Sequence, residues 1–103
     1  MTELFERKQI EILVDEPLAE WLAEQAAGAG ISHYSLLPVH SGMGWRGRWR
    51  QDDGVITLGK LMFVAVAAEA KVEAFIAALS GHIEQYGLVV TIHDVKVVCS
   101  ERF

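Results

Sequence analysis

From Leu61 to Ala68 every side chain is apolar. A run of that length is far short of the ~18 residues that cross a bilayer, so it belongs inside folded protein. Its Val, Leu, Phe and Ala content reads as a strand over Lys60–Ala67. Leu61, Phe63 and Ala65 lie on one side of that strand, and Met62, Val64 and Val66 on the other. Strands apolar on both sides are buried on both sides. The segment Leu88–Val98 repeats the pattern, with Leu88, Val90 and Ile92 against Val89, Val95 and Val97. A chain of 103 residues is one domain, residues 1–103, and is too small to cover both faces of its own sheet with helices. An uncovered second face would be an apolar patch of interface size, so sheets of several subunits are expected to face one another in a homo-oligomer.

The other elements follow from periodicity. Ile10, Ile12 and Val14 alternate with Gln9 and Glu11, which predicts a half-buried strand over Lys8–Val14. Asp15-Glu16-Pro17 is an acidic helix start with proline in the first turn, where its missing N–H costs nothing. Leu18, Trp21, Leu22, Ala26 and Ala29 follow at helical spacing, and Gly28 and Gly30 stop the helix. Tyr34–Val39 reads as a strand that contains Pro38, and a proline that cannot donate to a ladder belongs at a sheet edge or a bulge. A second helix is predicted over Glu69–Tyr86, with Val72, Phe75, Ile76, Leu79 and Ile83 in a stripe and Gly87 ending it. The order β-α-β-β-α-β is the split pattern of an α+β, ferredoxin-like sandwich. That arrangement puts its second strand at the edge, where Pro38 belongs.

Between the second and third strands lies one long loop, about 41–58, of different character. Ser41-Gly42-Met43-Gly44-Trp45-Arg46-Gly47-Arg48-Trp49-Arg50 holds three of the five arginines in a chain of net charge −5. Glycines permit close backbone approach and positive φ, and successive loop N–H groups can form an anion nest. Arginine adds a planar fork of donors suited to phosphate or carboxylate. An anion site is one reading. A hairpin whose arginines are solvated, or paired with Asp52 and Asp53, is another, and a Trp/Arg docking element is compatible with either. Alternating Trp and Arg also suits stacking on single-stranded nucleic acid, but the acidic balance (pI about 5.2) argues against that partner.

Elsewhere the chemistry is sparse. Lys60 opens the third strand beside the loop's return. His33, His40, His82 and His93 are scattered without metal-ligand spacing, and Cys99 is the single cysteine, which fits a reducing cytosol and excludes an internal disulfide. No nucleophile elbow, zincin motif or Walker loop occurs, so no catalytic constellation is expected. The charged start Met1–Lys8 carries no apolar stretch, so neither a signal peptide nor membrane insertion is expected, and the localisation is cytoplasmic.

With the β-α-β-β-α-β order, the long second loop and Gly42-Met43-Gly44 at its base, the chain resembles the PII signalling family. Nitrogen-regulating members carry a G-F-G-R run there, a large T-loop, and an L-P-K sequence that here reads Leu58-Gly59-Lys60. This chain's T-loop is shorter and lacks the modifiable tyrosine. Its B-loop is reduced to about Tyr86-Gly87, and its last strand has Lys96 and Arg102 in place of alternating arginines. It is more similar to the PII-like proteins associated with bicarbonate transporters and carboxysomes. Their G-x-G-x-R pattern is matched by Gly42, Gly44 and Arg46, and their basic-Phe motif by Arg102-Phe103.

The resemblance implies a non-enzymatic homotrimer that binds an adenine nucleotide (AMP, ADP, ATP or cyclic AMP) between subunits, with bicarbonate as a second ligand in some members. It implies a partner in inorganic-carbon uptake, such as the cytoplasmic face of a membrane transporter. Carried over, Ser41, Gly42, Met43 and Gly44 would line the nucleotide cleft, Arg46 would meet a phosphate, and Lys60 a phosphate or a second small anion. Gly87 would come from the neighbouring subunit's B-loop and Arg102 from the C-terminus. Trp45, Arg48, Trp49 and Arg50 would form the docking tip of the T-loop. Two alternatives stay open: a small enzyme using the intersubunit cleft with His40 or His93 as base, and a metal-binding trimer of the metal-tolerance type.

Overall fold

The computed structural model describes residues 2–44, 47–50 and 59–98 of the chain. Its elements are β1 (Phe5–Asp15), a 3-10 turn (Glu16–Leu18), α1 (Ala19–Gly28), β2 (Ser35–Val39), β3 (Ser41–Gly44), β4 (Gly47–Arg50), β5 (Lys60–Ala67), α2 (Glu69–Leu79) and β6 (Val89–Val97). Four strands form one antiparallel sheet in the order β2-β5-β1-β6, and β3 and β4 form a separate two-stranded ribbon. This is the α+β, ferredoxin-like arrangement. β2 is an edge strand, so the N–H that Pro38 lacks is not demanded by a second neighbour.

The core lies between the helices and one sheet face. Ile10, Ile12 and Val14 of β1 and Phe63, Ala65 and Ala67 of β5 meet Leu22 and Ala26 of α1 and Val72, Phe75 and Leu79 of α2. Phe63 is its centre, fully buried, stacked on Tyr34 at 5.0 Å and tilted against Phe75 at 5.6 Å. The helix stripes fall where the periodicity puts them, with Leu18, Trp21, Ala29, Ile76 and Ile83 half-buried at the margin.

Both helical segments end on the same device. Gly30 takes φ +88°, its N–H donates to Ala27 O, and the Ile31 N–H donates to Ala26 O at 2.9 Å. Gly87 takes φ +62°, its N–H donates to Glu84 O, and the Leu88 N–H donates to Ile83 O at 2.9 Å. These are Schellman closures, and in each the next residue, Ile31 or Leu88, is buried.

The second helix is shorter than its stripe suggests. It stops at Leu79, not Tyr86, and the chain passes through Ser80-Gly81 into one further helical turn, in which the Tyr86 N–H donates to His82 O. The break has a local cause. The Ser80 hydroxyl donates to Ala77 O, the His82 N–H makes a tight bond to Leu79 O, and Gly81 has weak helix propensity. His82 is packed rather than solvated, against Trp21 and Tyr86 at 5.3 Å each.

Strands β5 and β6 are not buried on both faces within one protomer. In β5, burial alternates cleanly although the sequence does not: Phe63, Ala65 and Ala67 are buried, and Met62, Val64 and Val66 are half-buried. In β6, Val89 is 49 % exposed, and Ile92 remains 44 % exposed on the helix side. The reason is geometric, because two short helices cannot reach the far end of strands as long as β1 and β6.

Candidate functional site

The long loop is more ordered at its base than a loop reading suggests. Ser41 pairs with Arg50, Gly42 with Trp49, Met43 with Arg48 and Gly44 with Gly47, so the predicted nucleotide segment is one strand of a hairpin. An extended strand is not a nest. Half of its N–H groups face the partner strand and half face outward, where a ligand's polar edge can meet them. Among Gly42, Gly44 and Gly47, the positive φ belongs to Gly47, at +99°. Met43 is 67 % exposed, and Ser41, Gly44 and Arg48 are exposed. Trp49 and Arg50 belong to β4. Trp45, Arg46, Asp52, Asp53, Leu58, Cys99, Arg102 and Phe103 lie outside the described residues.

The strand register decides what this hairpin stands near. Val39 of β2 pairs with Lys60 of β5, and Lys60 pairs with Asp15 of β1. Two rows along and on the same face, Leu37, Met62, Leu13 and Val89 pair in turn across all four strands. Ser41–Gly44, Lys60 and Gly87 therefore gather at the same end of the sheet. They do not gather at the same edge. The hairpin leaves from β2 and Gly87 precedes β6, three strand spacings away, or roughly 14 Å at ~4.8 Å each. Within one protomer the two predicted halves of the nucleotide site cannot close on one ligand phosphate. The chain reaches Val98 at the other end of β6, whose Val97 pairs with Phe5.

Lys60 is held by a residue that the sequence reading did not single out. Its ammonium donates to the Asp15 carboxylate at 2.6 Å, with the two side chains 23 % and 37 % exposed. Beside this pair the Glu16 N–H donates to Gly59 O at 2.8 Å, so the loop's return is tied to the start of the helical turn. No spacing rule links positions 15 and 60; only strand pairing does.

On the face away from the helices, His93 Nε2 stands 3.6 Å from a Glu11 carboxylate that also accepts from Gln9 Nε2 at 2.9 Å. His40 is exposed beyond β2, and among the described residues no three His, Cys, Asp or Glu side chains cluster as metal ligands. At the far end of the sheet a cavity of about 360 Å³ is lined by Glu6, Arg7, Lys8, Glu69, Asp94 and Lys96. Lys8 and Asp94 pair within it, so it is a self-neutralised surface groove distant from the hairpin. The Lys8 hydrogen bond, and then its charge, hold the Asp94 carboxyl below the ordinary carboxylate range. The described helices include none long and apolar enough to cross a membrane.

Comparison with solved structures finds the same architecture. CPII, a nitrogen regulatory PII-like protein from Thiomonas intermedia K12 solved with ADP, AMP and bicarbonate, superimposes with a TM-score of 0.92 at 22 % identity, covering 100 % of this chain and 98 % of that one. A structure of CPII with ADP, AMP and acetate gives a TM-score of 0.81 at 23 % identity, covering 98 % and 97 %. The GlnK–ATP complex of B. subtilis gives 0.62 at 12 % identity, covering 87 % and 82 %. No curated protein matches the sequence. The family model described as nitrogen regulatory protein P-II matches residues 7–102. A match over nearly the whole chain, on a fold whose hairpin, Lys60 and Gly87 share one end of the sheet, shows that this protein belongs to the P-II family.

Proposed function

We propose that the protein is a non-enzymatic sensor that binds an adenine nucleotide at the clefts of a homotrimer and reports it through the Trp/Arg hairpin. One observation carries the reading. The hairpin Ser41–Gly44 and the Gly87 turn stand at one end of the sheet but on opposite edges, so a complete site needs one edge from each of two subunits. The apolar row Leu37–Met62–Leu13–Val89 supports the assembly, because it runs the width of the face that the helices leave uncovered.

In this reading Ser41, Gly42, Met43 and Gly44 line the cleft and Arg46 meets a phosphate. Gly87 faces them from the neighbour. Arg102 reaches in from the C-terminus. Lys60 receives a small anion, bicarbonate first. CPII with bicarbonate and with acetate supports a planar, carboxylate-like species. An occupied cleft selects one hairpin conformation, and a partner docking on Trp45, Arg48, Trp49 and Arg50 reads that conformation. The partner belongs to inorganic-carbon uptake, such as a transporter's cytoplasmic face, and the protein acts in the cytoplasm.

The test is titration calorimetry with AMP, ADP, ATP and cyclic AMP, each with and without bicarbonate, on the wild type and Arg46→Ala. Tighter binding of one nucleotide in the presence of bicarbonate, lost in an Arg46→Ala protein of unchanged oligomeric state, is the expected result. No heat with any nucleotide refutes the reading.

A further inference from the structure

The Asp15–Lys60 pair does more than close the end of the sheet. Asp15 stands immediately before the Glu16–Leu18 turn, the place where a carboxylate ordinarily accepts from the turn's first free N–H groups. Its side chain makes no such cap and is turned instead onto Lys60, half-buried, at 2.6 Å. Pro17 offers no N–H, the Glu16 N–H is taken by Gly59 O, and the Leu18 N–H closes the 3-10 turn on the Asp15 carbonyl, so the turn leaves the Asp15 carboxylate no donor to cap. The carboxylate is thus carried by the cation and not by the turn.

A carboxylate and a bicarbonate ion are alike to an ammonium, since each presents a planar pair of oxygens and a single negative charge. Both cannot sit on one half-buried Lys60 without like-charge repulsion at a few ångströms. We propose that Asp15 is an internal competitor for the small-anion position on Lys60 and so sets the protein's affinity for bicarbonate. Bicarbonate enters by displacing the Asp15 carboxylate, which is 37 % exposed and turns outward to water. Because the Glu16 N–H holds Gly59 O, this exchange acts at the point where the loop returns to the sheet. The inference rests on the anion reading of Lys60 given above and adds the residue that regulates it.

The experiment is calorimetric titration of sodium bicarbonate into the full chain, with and without saturating ADP, for the wild type, Asp15→Asn and Lys60→Ala. Asparagine keeps the shape and removes the charge. Asp15→Asn is expected to bind bicarbonate about fivefold more tightly, as removal of a partly exposed ion pair allows, and Lys60→Ala to lose binding. Unchanged or weaker binding by Asp15→Asn overturns the inference, as does an absence of bicarbonate heat in every protein. ADP is titrated separately. A wild type that binds bicarbonate but no nucleotide refutes the nucleotide reading and leaves this one standing. If Asp15→Asn fails to fold, Asp15→Ser, which carries no charge, must show the same gain.

Discussion

Leu37→Asp tests the assembly most directly, because Leu37 is the place where the fold and the assembly divide one side chain between them. It lies on edge strand β2 at one end of the row Leu37–Met62–Leu13–Val89, and 49 % of it is exposed in the protomer. Full burial of a leucine contributes roughly 2–3 kcal/mol, so about 1–1.5 kcal/mol of that is left for a facing subunit to gain. Aspartate forfeits this and brings a carboxylate that costs several kcal/mol more to strip of water without a cation. A low total of about 3 kcal/mol per copy, over three separate copies, weakens the trimer by about a millionfold in its association constant. The protomer loses about 1 kcal/mol at an edge position and should stay folded. Sedimentation velocity at micromolar concentration is the assay, with circular dichroism to confirm folding. The expected result is a folded monomer where the wild type is a trimer. A Leu37→Asp protein that sediments with the wild-type oligomer shows that the apolar row is not the subunit interface.

Phe63→Ala should cost about 3–5 kcal/mol in urea unfolding, because the ring is fully buried between Tyr34 and Phe75; a loss under about 1 kcal/mol contradicts the packing. Gly87→Ala meets no atom within 4 Å, so its cost of about 1 kcal/mol comes from the +62° φ alone. That variant should remain folded by thermal melting, and a loss above about 3 kcal/mol means that the turn does something besides bend. Asp94 is lowered by its bond to Lys8, so its contribution is present above the unfolded value near 3.8 and fades as pH falls through the lower folded value. Thermal midpoints of Asp94→Asn and the wild type should therefore converge in acid below about pH 4 and, for so exposed a pair, also in high salt. A gap that persists in acid assigns the effect to something other than this pair.

Periodicity and punctuation carried much of the architecture. The alternation Ile10-Ile12-Val14, the helical spacing of Val72, Phe75 and Leu79, and the glycines at 30 and 87 are local signals, and local sterics and hydrogen bonds act on them directly. Pro38 declared an edge because an absent N–H is the same fact in a peptide and in a sheet. The end of α2 was less legible: the stripe runs on to Ile83, whereas the helix yields to Ser80 and Gly81, a contest of a hydroxyl and a weak propensity against burial that spacing does not rank.

What pairs across the sheet was decided by tertiary structure alone. Asp15 and Lys60 are 45 positions apart and look like an ordinary helix-start acid and an ordinary surface lysine until the β1–β5 register puts them opposite each other. The same register sets the hairpin and Gly87 at one end of the sheet and on opposite edges, a placement that neither glycine motif carries by itself. Composition and spacing determined that this chain folds as a ferredoxin-like sheet with an apolar face to spare and a Trp/Arg loop. Register, a property of strands distant in sequence, decided which charge meets Lys60 and that the hairpin and Gly87 stand on opposite edges.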